Sequence, residues 1–156
     1  MKHLLTMVLI FLASAAPAFS QQRRPTLGPS TPTLKGPGTA RTVNPKRLLS
    51  VRKIYIEPID NKLSEKIRED LAGSSMLRVV DKPRDADAVL RGTCFRSSRL
   101  KHLHSEVYLT KRVSGAPVWQ DVVYVPWNPP GLGKAVDKSA AEIVTHLFQS
   151  IRQAQR

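Results

Sequence analysis

One cysteine in 156 residues, Cys94, leaves no partner for an intrachain disulfide and no thiolate set for a zinc or iron–sulfur site. Acid is scarce: 12 Asp and Glu stand against 25 Lys and Arg, a net charge of +13. Aromatic residues make up 6% of the chain, and no apolar run reaches the roughly 20 residues that a bilayer-spanning helix needs. Gly131-Leu132-Gly133-Lys134 lacks both the spacing and the Ser or Thr of a phosphate-cradling loop. No Gly-x-Ser-x-Gly surrounds Ser97 or Ser98. These lacks exclude a disulfide scaffold, a multi-cysteine metal module, a P-loop enzyme and a nucleophile-elbow hydrolase. Enough remains for one core, because 41% of the residues are hydrophobic. The length holds one domain with extensions and not two.

The first twenty residues read as an address. A basic tip (Lys2, His3) precedes an apolar stretch from Leu4 to Ala13 and a small-residue end through Ala18 and Ser20, the pattern of a secretory signal peptide cut before Gln21. No cysteine follows the apolar stretch to carry an acyl chain, so lipid anchoring is not expected. Removing residues 1–20 takes away Lys2 and no acid, which leaves a net charge of +12. A basic exported protein meets anionic polymers such as peptidoglycan, lipopolysaccharide or nucleic acid. The same charge also serves simply to keep a domain soluble.

Residues 21–50 hold five prolines, three glycines, six basic residues and no acid, with apolar residues too sparse to show a period. Such a stretch is expected as a disordered Pro/Gly-rich basic tail, because burial cannot offset its ordering entropy. From Val51 the pattern changes. Ile54 and Ile56 predict a short strand ending at Pro58, and Leu63, Ile67 and Leu71 predict a helix that Asp60 or Asn61 caps and Gly73 ends. Met76 to Val80 predicts a strand parallel to the first. Further strands are expected over Ala88–Phe95, within Arg99–Val113 and over Val118–Val125, the last two as a hairpin. Lys134–Arg152 carries an apolar stripe of Val136, Ala140, Ile143, Leu147 and Ile151, which predicts a long helix. The expected fold of residues 51–156 is therefore a single α/β (α+β) two-layer sandwich: about five strands in a mixed sheet, with two helices on one face.

Strand alternation then sorts the candidate residues. With the helices over the Leu90, Leu109 and Val113 side, the bare face displays Arg91, Thr93, Tyr108, Thr110 and Arg112. Arg91, Arg96, Arg99, Lys101 and Arg112, beside Tyr108, form a candidate partner or polyanion-binding surface; equally, they are charges guarding a strand edge. Trp127, in the proline-rich loop after the last strand, is either an anchor for a partner or a lid on the sheet. His102, His104 and Glu106 alternate as metal ligands do, but three ligands on one straight strand span too far to converge. Asp81, Asp85 and Asp87 read as turn residues, Cys94 and Trp119 as core, and His146 as a boundary residue of the last helix. No catalytic set, metal site or cofactor site emerges from these residues.

Some local phrases are familiar. Ser74-Ser75-Met76-Leu77-Arg78-Val79-Val80-Asp81 precedes Ala86-Asp87-Ala88-Val89-Leu90-Arg91-Gly92; then come Ser114-Gly115-Ala116-Pro117-Val118-Trp119 and a terminal helix. Over Val51 to Ile151 this order resembles the small α/β domains of bacterial envelope proteins related to the TolB amino-terminal domain and the curli-secretion (CsgG-like) family. The resemblance implies a non-enzymatic periplasmic or secreted domain that binds an envelope protein partner or helps assemble envelope machinery. The absence of an acylated cysteine and of any propeller or pore-forming extension sets this sequence apart from the lipoprotein and pore-forming members.

Overall fold

Alternation of apolar and polar residues between Ala88 and Pro126 builds the centre of a sheet. The structure, a computed structural model, describes residues 34–35 and 39–156. The expected signal peptide and the tail up to residue 33 lie outside the described residues. In chain order the elements are β1 (Leu34–Lys35), β2 (Arg41–Thr42), α1 (Pro45–Leu49), β3 (Lys53–Ile56), α2 (Leu63–Leu71), β4 (Arg78–Val79), β5 (Ala88–Ser97), β6 (His102–Lys111), β7 (Pro117–Pro126) and α3 (Leu132–Ala154). The sheet is mixed and seven-stranded, in the order β1-β2-β7-β6-β5-β3-β4. β3 is parallel to β4 and to β5, and the other neighbours are antiparallel.

The expected α/β sandwich is what forms, with two strands and one helix more than the sequence pattern predicts. The additions come from the segment assigned to the tail. Asn44 accepts the amide of Arg47 at 3.0 Å through its side chain, Pro45 opens α1, and Leu48 is fully buried. An Asn cap followed by Pro is a helix-start signature, overlooked because five residues show no period. β2 then docks on β7, with Ala40 and Thr42 buried. The folded region therefore starts upstream of Val51.

One core lies under the covered face. Ile54, Ile56, Leu90, Leu103, Val107 and Leu109 of the sheet meet Leu63, Ile67 and Leu71 of α2 and Val136, Ala140, Ile143 and Leu147 of α3. Gly92 permits the close approach of β6: a Cβ there would sit 2.2 Å from the Glu106 carbonyl oxygen. Two expectations need correction. Val113 is exposed, because β6 ends at Lys111 and the irregularity at Leu109/Thr110 breaks the alternation that placed it inward. Neither Asp60 nor Asn61 caps α2 through its side chain. A short 3-10 turn over Asp60–Lys62, with Asn61 and Lys62 in left-handed conformation, leads into the helix instead.

Candidate interaction surface

The two faces of the sheet treat polar atoms differently. Beneath the covered face several polar side chains are joined in chains, although Nε1 of Trp127, packed against the core, has no hydrogen-bond partner among the described residues. Trp119 Nε1 donates to Ser150 Oγ at 3.0 Å, and Ser150 donates to the His146 carbonyl at 2.8 Å. Ser139 donates to Ser105 at 2.7 Å, and the Ser105 hydroxyl lies 3.4 Å from Cys94 Sγ. Burial pushes the Cys94 thiol above its usual range, against the opposing hydrogen bonds from Ser105 and Asn61. The core assignment of Cys94 and Trp119 therefore stands: the thiol is a buried, protonated group and not a nucleophile.

Asp121 is the functional-looking residue that sequence reasoning missed. It is wholly buried on β7. Its carboxylate accepts from Thr39 Oγ1 at 2.6 Å, from the Val122 amide at 2.9 Å and from His146 Nδ1 at 2.7 Å. The arrangement pins three segments together: the stretch before β2, the strand β7 and the helix α3. A lone Asp among apolar strand residues was the available signal. A buried carboxylate there requires partners, and only the fold could show that they come from 82 residues upstream and 25 downstream.

The open face carries the candidate residues, and the structure separates them. Arg91 pairs with Glu57 at 3.0 Å. Arg112 sits beyond the far end of β6, where its Nε donates to the Ala86 carbonyl at 2.8 Å. Arg96, Arg99 and Lys101 lie at the β5–β6 turn, about 30 Å away along a ten-residue strand. Tyr108 lies mid-strand, its hydroxyl bonded to Glu106, which raises its pKa. The bases are thus three separate groups and not one patch. Trp127 is half-buried against the core, with its amide donating to the Lys101 carbonyl at 2.9 Å. Among the described residues, no group of three His, Cys, Asp or Glu converges. The turn aspartate Asp87 accepts the amides of Arg52 and Lys53 at 2.9 and 2.8 Å. Burial opposes its ionisation, but these two bonds together with the nearby charges of Lys111 and Lys53 outweigh it and hold the carboxyl below its usual range.

What the open face does bring together is aromatic. Phe95, His104 and Tyr124 stand in register across β5, β6 and β7. Phe95 meets His104 edge-on at 4.6 Å between ring centres, and His104 stacks on Tyr124 at 4.4 Å. With Ser97, Leu100 and His102 they line a groove of about 310 Å³. Phe95 is 51% exposed, Tyr124 58% and Leu100 67%. The His104 Nε2 atom, shut in between its neighbours, has no hydrogen-bond partner among the described residues.

With this geometry in hand, solved structures offer a likeness. The chain is similar to a PelC dodecamer from Paraburkholderia phytofirmans, with a TM-score of 0.50 and 16% identity over 74% of this chain and 96% of that one. It is similar to TolB from Acinetobacter baumannii, with a TM-score of 0.50 and 14% identity over 77% of this chain and 30% of that one. It therefore corresponds to less than a third of the TolB chain. Identities this low establish the fold alone, and at that level the TolB part of the sequence resemblance holds. These two structures lend nothing to the curli-secretion part. No family model matches the chain, and no curated protein matches it either.

Proposed function

We propose that this chain is an exported, non-enzymatic accessory protein of the bacterial envelope that binds a protein partner. The open sheet face carries the reading: Phe95, Leu100 and Tyr124 are solvent-exposed there, and among the described residues no element covers them. Contiguous exposed apolar surface of this kind marks interaction sites in soluble proteins. The leader pattern of residues 1–20 supports export, and among the described residues no helix is long and apolar enough to cross a membrane. The fold shared with TolB and PelC is compatible with an envelope role for residues 51–156 and the elements before them. The charged residues at hand are engaged in structure: Asp87 caps the start of β3, and Asp121 ties three segments. The rival reading, an electrostatic binder of peptidoglycan, lipopolysaccharide or nucleic acid, rests on the net charge. It loses support because Glu57 pairs with Arg91 and the Ala86 carbonyl holds Arg112, which ties up two of its candidate cations.

The test is affinity capture by residues 21–156 from bacterial envelope extract at low and high salt, read by mass spectrometry. A defined protein retained at high salt is the expected result. Retention only at low salt, of mixed polymers and many proteins, would move the assignment to the electrostatic reading, because counterion release makes such binding fall steeply with salt.

A further inference from the structure

We propose that the edge of β7 past Gln120, unpaired among the described residues, docks, together with the aromatic groove beside it, an extended acidic segment of a partner protein, which adds to the sheet as a further strand. The proposal rests on the protein-binding reading above and names the chemistry of the partner.

The edge comes first. β2 pairs with β7 only at Arg41↔Gln120 and Thr42↔Trp119, and the amides of Val43 and Asn44 bond the Val118 carbonyl. Past Gln120 the neighbouring chain is held by Thr39 on the Asp121 side chain. The Val118 carbonyl and the Val122 amide both face away from β6. Backbone direction alternates along a strand, so Tyr124 also points its N–H and C=O outward, with the carbonyls of Val122 and Pro126. Among the described residues, no strand lies alongside them. Val122 to Val125 holds no charged residue and no proline, the usual guards of an edge; Pro126 guards its end. The engaged Val122 amide and the missing N–H of Pro126 restrict pairing to a short segment centred on Tyr124.

The groove lies next to that edge. One face of the Tyr124 ring stacks on His104, which leaves the outward face toward the edge for an incoming side chain. A strand laid along β7 places alternate side chains on the open face, over Tyr124 and the groove that continues to Phe95 and Leu100.

Charge selects the segment. Around the β5–β6 turn, from Arg96 to Ser105, the chain carries Arg96, Arg99 and Lys101 and no acid, and the acid that follows on the open face, Glu106 opposite Val122, is engaged by the Tyr108 hydroxyl. Arg96, Arg99 and Lys101 are exposed, and none forms an ion pair among the described residues. Acidic side chains complement this end of the sheet. Outward donors and acceptors at strand spacing match a peptide backbone, which neither a glycan nor a nucleic acid supplies. A second copy of this chain fits less well. Two-fold pairing about Tyr124 sets Pro126 opposite Val122 and brings up another edge without acids.

The probe is a random library of short peptides displayed on phage, panned against residues 21–156. Enrichment of acidic peptides with alternating apolar residues is expected. A synthetic copy of the enriched peptide should slow amide exchange at Tyr124. Tyr124→Ala should weaken its binding about tenfold or more with an unchanged circular dichroism spectrum, since the ring is exposed. Arg99→Glu with Lys101→Glu should weaken it further at low salt. With the peptide added antiparallel to β7, N-methylation of its residue opposite Tyr124 should abolish binding, and N-methylation of the next residue should spare it. No enrichment, enrichment of basic peptides, indifference to Tyr124→Ala, or an unchanged exchange rate at Tyr124 would each overturn the proposal. So would a Tyr124-dependent dimer in sedimentation, or heparin binding that needs Tyr124. If envelope capture retains the same partner with Tyr124→Ala as with the natural chain, the docking site fails and the protein-binding reading survives.

Discussion

The covered and open faces of one sheet, built from the same three long strands, obey different rules. On the covered face, Trp119, Ser105, Ser139, Ser150 and Asp121 each find a partner inside the protein. On the open face, Phe95 and Tyr124 are half in water and His104 holds a nitrogen unpartnered among the described residues. Neighbouring residues of a strand point to opposite faces, so one position along the chain separates a side chain that stabilises from one available to bind. The difference teaches that stability and recognition are encoded in alternate residues here, and that each can be altered with little effect on the other.

The sharpest way to break that division is Trp119→Ala. It empties a fully buried site and removes the hydrogen bond that Ser150 accepts, and should cost about 3–5 kcal/mol in chemical denaturation. A loss under about 1 kcal/mol would mean that the covered face is not the stabilising one. Gly92→Ala comes next. Its methyl group would run into the backbone oxygen of Glu106, which can move only with β6 itself, so a loss of about 1–3 kcal/mol is expected.

Asp87 supplies a pH-dependent step at the end of β5 remote from the aromatic groove. Its carboxyl is held below the ordinary value near 4, so its contribution is present above that value and disappears as pH falls through the folded pKa beneath it. Asp87→Asn should cost about 1 kcal/mol at neutral pH and flatten the stability–pH profile below about pH 4. An unchanged profile would remove the role given to the Arg52 and Lys53 amides. The smallest effect on stability belongs to the open face. Phe95→Ala and Tyr124→Ala should each shift unfolding by no more than about 0.5 kcal/mol while weakening partner association. Cooperative destabilisation by either would show that the aromatic row is a structural element after all.

The sequence made the long elements legible because their periods are long enough to read. β5, β7 and α3 fall within a few residues of expectation, as does the parallel pairing of β3 and β4. α1 and β2 escaped because two to five residues display no period, and the prolines around them suggested disorder. Their stability comes from docking, through Leu48 in the core and Thr39 on Asp121. The candidate surface was half legible. Alternation assigned Tyr108 and Arg91 to the open face, but it could not show that Glu57 neutralises Arg91 or that Arg112 is tied to Ala86. Phe95 and Tyr124 share that face in the structure. Their meeting across His104 depends on the strand order β7-β6-β5 and on a register that no local pattern carries.

The Thr39–Asp121 bond has a consequence in time as well as space. A chain that leaves a ribosome or a translocation channel amino-terminus first delivers Thr39 long before Asp121, 82 residues later, exists to receive it. The β5-β6-β7 meander joins near neighbours and closes quickly, whereas β2 must wait for a distant edge. The first segment of the fold to emerge is therefore the last to be fastened, and until then its buried positions, Ala40, Thr42 and Leu48, are open to whatever escorts the nascent chain.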